Sequence, residues 1–126
     1  MELQISIRSP AGKEPAALQW EITIPRDQLS FGEPIASPGN SVQADGKSVL
    51  CATRAQAATG PACVCVVSGG VSGIRNGLVA VLHLVVTNRA SPGHARVAIR
   101  HAMAVFQDLT QDPIADVEAH VKIRRE

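Results

Sequence analysis

The segment ALQWEITI, residues 17–24, decides the fold class because its apolar and polar side chains alternate strictly. Apolar residues at positions 18, 20, 22 and 24 alternate with polar residues at 19, 21 and 23. Side chains of a strand point alternately to its two faces, so this pattern predicts a strand with one buried face and one solvated face. Such strands are typical of antiparallel sheets, and Pro25 then ends this one.

Similar patterns along the chain predict an all-β protein. Seven further segments are predicted strands: LQISI (3–7), SFGEPIAS (30–37), KSVLCATR (47–54), ACVCVVS (62–68), GLVAVLHLVVT (77–87), RVAIRHAMAVF (96–106) and ADVEAHVKI (115–123). SFGEPIAS contains a proline and is expected at a sheet edge, whereas GLVAVLHLVVT is apolar on both faces and is expected in a sheet centre. Eight short strands with turn residues between them, and no firm helix, predict an antiparallel β-sandwich.

The segment RVAIRHAMAVF is compatible with either a helix or a strand. Its Ala, Met and His residues allow a helix, but Val97, Ile99 and Val105 favour a strand. We predict a strand with a bulge near His101 that changes which side chains face inward. The loop QDLTQDP (107–113) follows and is expected to contain at most one helical turn.

The glycine-rich segment SGGVSGIRNG, residues 68–77, is interpreted as a strand connection and not as a phosphate site. A phosphate-binding loop of the P-loop type needs Lys and Ser or Thr after its last glycine, and neither follows here. The segment also leads into a β-branched strand, so no helix N-terminus is available to hold a phosphate.

Length and composition exclude several classes of protein. The 126 residues fit one domain, and with 12 basic and 11 acidic residues the net charge of +1 implies no nucleic acid partner. No stretch reaches the roughly 18 unbroken apolar residues of a membrane helix. The N-terminal segment MELQISIRSP lacks the pattern of a signal peptide.

Three cysteines, Cys51, Cys63 and Cys65, leave two interpretations open. They are either small apolar core residues, or Cys51 forms a disulfide with Cys63 or with Cys65 while the third thiol stays free. Cys63 and Cys65 lie on the same face of their strand, and an antiparallel partner would bring Cys51 near both. The CVC spacing is not that of a zinc or redox site.

Catalytic and metal-binding patterns are absent from the sequence. No nucleophile elbow occurs, and the four histidines have neither helical partners nor nearby carboxylates at ligand spacing. His83 and His120 are expected to point outward from strands. Asp108 and Asp112 frame a predicted surface loop, with a weak calcium site as the alternative, although the dense oxygen series of an EF-hand loop is missing. We therefore expect no enzyme activity, no cofactor and no metal site.

Order and spacing over nearly the whole chain resemble a cohesin domain. The strand and turn AALQWEITIPRDQLSF, with Trp20, Pro25, Asp27 and Leu29, resembles a cohesin strand that ends in a turn before a leucine. SGIRNGLVAVLHLVV resembles the cohesin pattern of a glycine-ended loop followed by alternating apolar residues. The tail ARVAIRHAMAVFQDLTQDPIADVEAHVKI resembles the last two cohesin strands and the acidic loop between them. The cysteines are not a feature of that family.

This resemblance implies a jelly-roll sandwich of eight to nine strands and a non-catalytic role. Residues 1–126 would form one domain cut from a larger protein, with the first cohesin strand either absent or outside this sequence. Cohesins bind a dockerin, a small calcium-loaded helical module, on one flat sheet face, and they imply an extracellular or cell-surface location. Seven positions are implied to contact such a partner: Gln19, Glu21, Thr23, Ser48, Leu50, Arg54 and Arg100. For Leu50, a place in the core is the alternative.

Two other functions fit the same fold class. Carbohydrate-binding modules share the sandwich, but sugars stack on aromatic platforms, and this chain has one Trp, two Phe and no Tyr. Trp20, in addition, is predicted to be buried. An adhesive or assembly domain of a cell-surface or secretion system, pairing through exposed edge strands, is the other alternative.

Overall fold

The computed structural model describes residues 1–54, 60–87 and 93–115 in full, together with the backbone of residues 117–123. These residues form nine strands and one short helix. The strands are β1 (Glu2–Ile7), β2 (Ala17–Thr23), β3 (Leu29–Pro38), β4 (Ser48–Thr53), β5 (Ala62–Ser68), β6 (Gly77–Val86), β7 (Gly93–Val105), β8 (Gln111–Ile114) and β9 (Val117–Ile123), and the helix is α1 (Asn40–Gln43).

The strands form two antiparallel sheets that pack into a sandwich, as predicted. The three-stranded sheet has the order β1-β6-β3. The six-stranded sheet has the order β4-β5-β2-β7-β8, and β9 pairs with the first half of β7. Strand β6 lies in the centre of its sheet, and β3 lies at an edge. Both positions were predicted from the apolar character of β6 and from the proline in β3.

The core lies between the two sheets and is filled by the alternating apolar side chains. From the six-stranded sheet, Trp20 and Ile22 point inward, and from the three-stranded sheet, Leu82 and Leu84 do so; all four are at most 5% exposed. Burying a side chain of this size stabilises the fold by about 1.5–3 kcal/mol. The alternation in β2 therefore fixes which face of that strand is inside, whereas β6 is apolar on both faces.

Strand β7 contains the predicted bulge at His101. Gln19 and Glu21 of β2 pair with Met103 and Arg100 of β7, so two steps along β2 match three along β7. The extra residue reverses the inward alternation, and His101 has a φ of 54°, in the left-handed region. Residues before the bulge pair with β9, and residues after it pair with β8.

Two short elements were not predicted. The turn-rich segment after β3 contains the single helical turn α1, and the last part of the loop QDLTQDP is strand β8. Strand β8 is short and contains Pro113, which lacks an amide donor, so its sequence resembles a loop. Within the helices that the structure describes, none is long and apolar enough to cross a membrane.

The glycine-rich segment connects β5 to β6, as predicted. Gly69 and Gly70 have positive φ values of 133° and 67° in this connection. Lys47 is buried at 4% exposure, and its Nζ donates hydrogen bonds to the carbonyl oxygens of Ala16 at 3.0 Å and Gly69 at 2.7 Å. The glycines therefore allow the turn between β5 and β6, and the hydrogen bonds of Lys47, which precedes β4, fix its position.

Candidate partner-binding face

Strand β2 carries three of the predicted contact residues on the outer surface of the six-stranded sheet. Gln19 is exposed, and Glu21 and Thr23 are partly exposed, whereas the residues between them are buried. The sequence alternation alone is sufficient to place these side chains, because the face opposite an apolar row must be the solvated one.

Leu50 lies on the same outer surface and is 70% exposed, so it is not a core residue. Strand pairing places Leu50 beside Val66, Val66 beside Gln19, Gln19 beside Met103, and Met103 beside Pro113. These five residues form one outward row across five strands, which we call the apolar row because four of its members are apolar. Val66 is 36% exposed, and Pro113 is exposed.

A second outward row lies next to the apolar row, and we call it the charged row because it contains Glu21 and Arg100. Ala52 pairs with Val64, Val64 with Glu21, and Glu21 with Arg100. Glu21 accepts a hydrogen bond from the Arg54 guanidinium, in an ion pair whose Arg54 side chain is 56% exposed. The Glu21 side chain is 13% exposed, but the Arg54 end of the pair is open to solvent, so the pair contributes on the order of 1 kcal/mol to stability.

Two of the predicted contact residues, Ser48 and Thr23, lie at opposite ends of the face. Ser48 is exposed and pairs with Ser68. Thr23 pairs with Ala62 and Ala98, which are only 2% and 4% exposed although they are on the outward side. The open part of the face is therefore centred on Gln19 and not on Thr23.

Val64, Val66, Met103 and His101 belong to this face but were not among the predicted contact residues. In β5 the two valines alternate with cysteines that point inward. The alternation within ACVCVVS could therefore have predicted that both valines point outward. The bulge brings His101 to a shallow depression that Gln19, Glu21, Arg54 and Val64 also line. No local pattern indicates that depression, because its residues come from three strands and from Arg54, which follows β4.

On the inner side of the same sheet, Cys51 and Cys65 form a disulfide that joins β4 to β5. This pairing selects one of the alternatives left by the sequence. Cys63 stays free and buried, 3.9 Å from the Cys65 sulfur. Burial, with a smaller contribution from the negative charge of Glu21, raises the pKa of the Cys63 thiol to about 12. The thiol is therefore protonated and unreactive at neutral pH.

The acidic loop before β8 is organised by its own side chains. Asp108 Oδ1 accepts hydrogen bonds from the Thr110 hydroxyl at 2.6 Å and the Thr110 amide at 3.0 Å, and these hydrogen bonds lower the pKa of Asp108. Among the described residues, no three His, Cys, Asp or Glu side chains come together as a metal site would require. His83 lies on the outer surface of the three-stranded sheet, as predicted, whereas the side chain of His120 is outside the described residues.

Trp20 is 5% exposed, which confirms its predicted burial. A sugar ring stacks on the open face of an aromatic side chain, and a buried indole offers no such face. Phe31 and Phe106 are also packed partly against the core. The aromatic residues of this chain therefore do not form a platform for carbohydrate.

Comparison with solved structures matches this sandwich to cohesin modules. A cohesin module from a family 33 glycoside hydrolase of Clostridium perfringens superposes with a TM-score of 0.74 at 15% identity, covering 99% of this chain and 85% of that one. This chain has a cohesin-like fold. A structure of a type I cohesin–dockerin complex from Clostridium thermocellum matches with a TM-score of 0.66 at 10% identity, covering 97% of this chain and 83% of that one. No family model and no curated protein matches the sequence.

Proposed function

We propose that this domain is a non-catalytic interaction module that binds a dockerin-type partner on the outer face of the six-stranded sheet. The observation that carries the proposal is the apolar row, which begins on the edge strand β4 with Leu50, 70% exposed. The cohesin-like fold supports the class of partner, because one of the similar solved structures is a cohesin–dockerin complex.

The surface has the composition of a protein interface. Its exposed apolar side chains, Leu50 and Val66, lie together on β4 and β5, and the charged residues Glu21, Arg54 and Arg100 lie beside the apolar row. Protein interfaces commonly combine an apolar centre with a polar rim, and a few central residues contribute most of the binding energy. We infer that Leu50 is the principal apolar contact and that the charged row selects among partners.

The same proposal predicts the parent protein and the compartment of the domain. The domain would be one module, residues 1–126, of a larger extracellular or cell-surface protein, and calcium would be bound by its partner. The disulfide between Cys51 and Cys65 supports an oxidising compartment, since disulfides persist outside the cytosol and are rare within it.

The test is direct binding of the purified domain to purified dockerin modules. The panel would include the dockerins encoded by the source organism and that of the Clostridium thermocellum complex, each with calcium and with a calcium chelator. Leu50→Asp is expected to weaken binding by at least roughly tenfold, because it places a charge on the most exposed apolar residue of the apolar row. Val85→Asp is the matched control: Val85 is 52% exposed on the three-stranded sheet and should change affinity less than about twofold.

Failure of every dockerin to bind the wild-type domain would overturn the proposed partner. A greater loss with Val85→Asp than with Leu50→Asp would overturn the proposed face. A parallel arm with soluble polysaccharides tests the carbohydrate alternative, and retention of a polysaccharide without any dockerin would favour that function.

A further inference from the structure

The two sheets differ in width, and the difference leaves one margin of the sandwich partly uncovered. In the described residues the six-stranded sheet is five strand positions wide, because β8 and β9 share one side of β7, whereas the smaller sheet is three wide. At one margin β3 lies beside β4. The extra width therefore lies at the other margin, where the inner sides of β7 and β8 extend beyond the edge strand β1.

A groove of about 120 Å³ lies along this margin, between β1 of one sheet and β7 and β8 of the other. Ile5 and Ile7 line it from β1, and Ile99 and Ile114 line it from the opposite sheet. Ile114 pairs with the buried Ala102, so it is on the inner side of its sheet, yet it is 39% exposed. An apolar side chain that faces inward and is still this open lacks part of its covering.

The free edge of β1 has backbone groups directed away from its own sheet. Met1 and Leu84 exchange two hydrogen bonds, of 3.1 and 2.9 Å, so they form a hydrogen-bonded pair. The extra residue of the irregular pairing, Val79, belongs to β6, so β1 alternates regularly and directs the amides and carbonyls of Gln4 and Ser6 outward. β1 pairs with no other described strand, and its sequence has neither the proline nor the lysine that commonly protects an edge.

The edge and the groove together have the features of a site for strand addition. An extended peptide that pairs with a sheet edge gains affinity from backbone hydrogen bonds and specificity from pockets for alternate side chains. The amides and carbonyls of Gln4 and Ser6 would supply the hydrogen bonds. A cavity of about 150 Å³ holds benzene, so a groove of about 120 Å³ accommodates roughly one Leu or Ile side chain.

A second copy of the domain does not fit this margin. Antiparallel pairing of two β1 strands would join the two smaller sheets side by side. Because each larger sheet extends beyond the β1 of its own copy, the two larger sheets would then occupy the same space. Every strand that the structure describes is already paired within its sheet. The occupant is therefore a single strand from another polypeptide.

We infer that this margin binds one extended strand of a partner polypeptide whose side chains alternate between apolar and polar. The strand pairs with the free edge of β1, and one of its apolar side chains fills the groove beside Ile99 and Ile114. Gln19 lines the groove and also belongs to the apolar row, so the tests leave it unchanged. The strand is a different ligand from the dockerin-type partner of the proposed function.

The probe is a synthetic peptide with blocked termini and the sequence ELQISIR of residues 2–8, which has the required alternation. Two further peptides carry the same side chains with N-methyl groups on the odd or on the even amides, so that one of them keeps the amides that face β1 and the other loses them. In a ¹⁵N-labelled domain, the unmodified peptide at up to about 2 mM should shift the Gln4 and Ser6 amides in a saturable way and slow their hydrogen exchange roughly tenfold. Only one of the N-methylated peptides should do the same.

Variants of the domain test the groove and the edge separately. Ile114→Asp places a charge in the groove and should weaken peptide binding by at least roughly tenfold. Val85→Asp is the matched control, because Val85 is 52% exposed on the outer side of the three-stranded sheet, and it should change affinity less than about twofold. Gln4→Pro removes an outward amide at an edge, where proline is tolerated, and should abolish binding. Should that variant fail to fold, Ile114→Asp keeps the test decisive.

The absence of a saturable shift at Gln4 and Ser6 would overturn the inference. Equal binding of both N-methylated peptides would also overturn it, since it would show apolar adhesion without strand pairing. Normal peptide binding by Ile114→Asp would exclude the groove. A dimer of the wild-type domain in sedimentation, lost in Gln4→Pro, would assign the edge to a second copy and overturn the single-strand occupant.

Leu50→Asp separates this site from the proposed function. Loss of dockerin binding in this variant, with normal peptide binding, leaves the strand site standing. Normal dockerin binding by a wild-type domain that does not bind the peptide leaves the proposed function standing and overturns the strand site.

Discussion

The outer surfaces of the two sheets are made in the same way but present different side chains. On the three-stranded sheet, β1 exposes the polar side chains of Glu2, Gln4 and Ser6. In the same sheet, a hydrogen bond of 2.8 Å joins Ser37 Oγ to His83 Nε2. On the six-stranded sheet, the apolar row extends across five strands with Leu50 at 70% exposure. The first surface is largely polar, whereas the second brings four apolar side chains into one row that only Gln19 interrupts.

The difference supports the proposal that the outer face of the six-stranded sheet binds a partner. Both sheets bury their inner sides in the same core, so the fold requires no apolar residue on either outer side. Single exposed apolar residues such as Val85 are ordinary on soluble proteins, but a contiguous group marks an interaction site. The contrast between isolated and contiguous exposure therefore favours the six-stranded sheet as the proposed partner-binding face.

The largest expected loss of folding stability concerns the inner side of the three-stranded sheet, whose side chains pack in the core. Leu82 in β6 is fully buried, and Leu82→Ala should lower the free energy of unfolding by about 2–5 kcal/mol through lost burial and a new cavity. Val85→Ala, three residues along the same strand but 52% exposed, should change it by less than about 0.5 kcal/mol. Urea unfolding measures both values, and equal losses would contradict the assigned faces of β6.

The disulfide is a stabilising feature of the six-stranded sheet. Cys51 and Cys65 are 14 residues apart, so Cys51→Ala/Cys65→Ala should cost about 3 kcal/mol. Cys63→Ala keeps the disulfide and is the control for altered core packing. Thiol titration of the unfolded, unreduced protein should give one thiol per chain. A titre of three would show that the disulfide is absent.

The bulge at His101 should have a moderate effect on stability. His101 has a positive φ of 54°, a conformation that costs a side-chain-bearing residue about 1–2 kcal/mol and costs glycine almost nothing. His101→Gly should therefore be more stable than His101→Ala by about 1 kcal/mol, as measured by thermal unfolding. If the alanine variant were the more stable of the two, the left-handed conformation of residue 101 would be wrong.

The smallest expected effect concerns the ion pair between Arg54 and Glu21. Arg54→Ala should lower the free energy of unfolding by about 0.2–1 kcal/mol at low salt, and the loss should shrink as salt screens the pair. A double-mutant cycle with Glu21→Ala isolates the coupling. On the three-stranded sheet, Glu2→Ala serves for comparison, because Glu2 Oε2 lies 3.5 Å from His83 Nδ1. A loss for Arg54→Ala that does not change with salt would exclude an electrostatic origin.

Sequence patterns predicted most of the strands and half of the candidate site. Alternation within β2 predicted the burial of Trp20 and the outward direction of Gln19 and Glu21. The residue pattern within β7 predicted the bulge at His101. Strand β8 and the turn α1 were missed because four residues are too few to establish a period. Leu50 was left undecided, since a short apolar segment with polar neighbours does not show which of its faces is buried.

The sequence by itself determined the all-β class and the inward face of strands with alternating side chains, such as β2, because alternation is a property of the extended chain. Only the tertiary structure decided the partner of Cys51, the joining of Leu50, Val66 and Met103 into one row, and the groove beside β1. Each of these depends on the register between strands that are distant in sequence. That register is set when both sheets pack on a common core, and no single segment contains it.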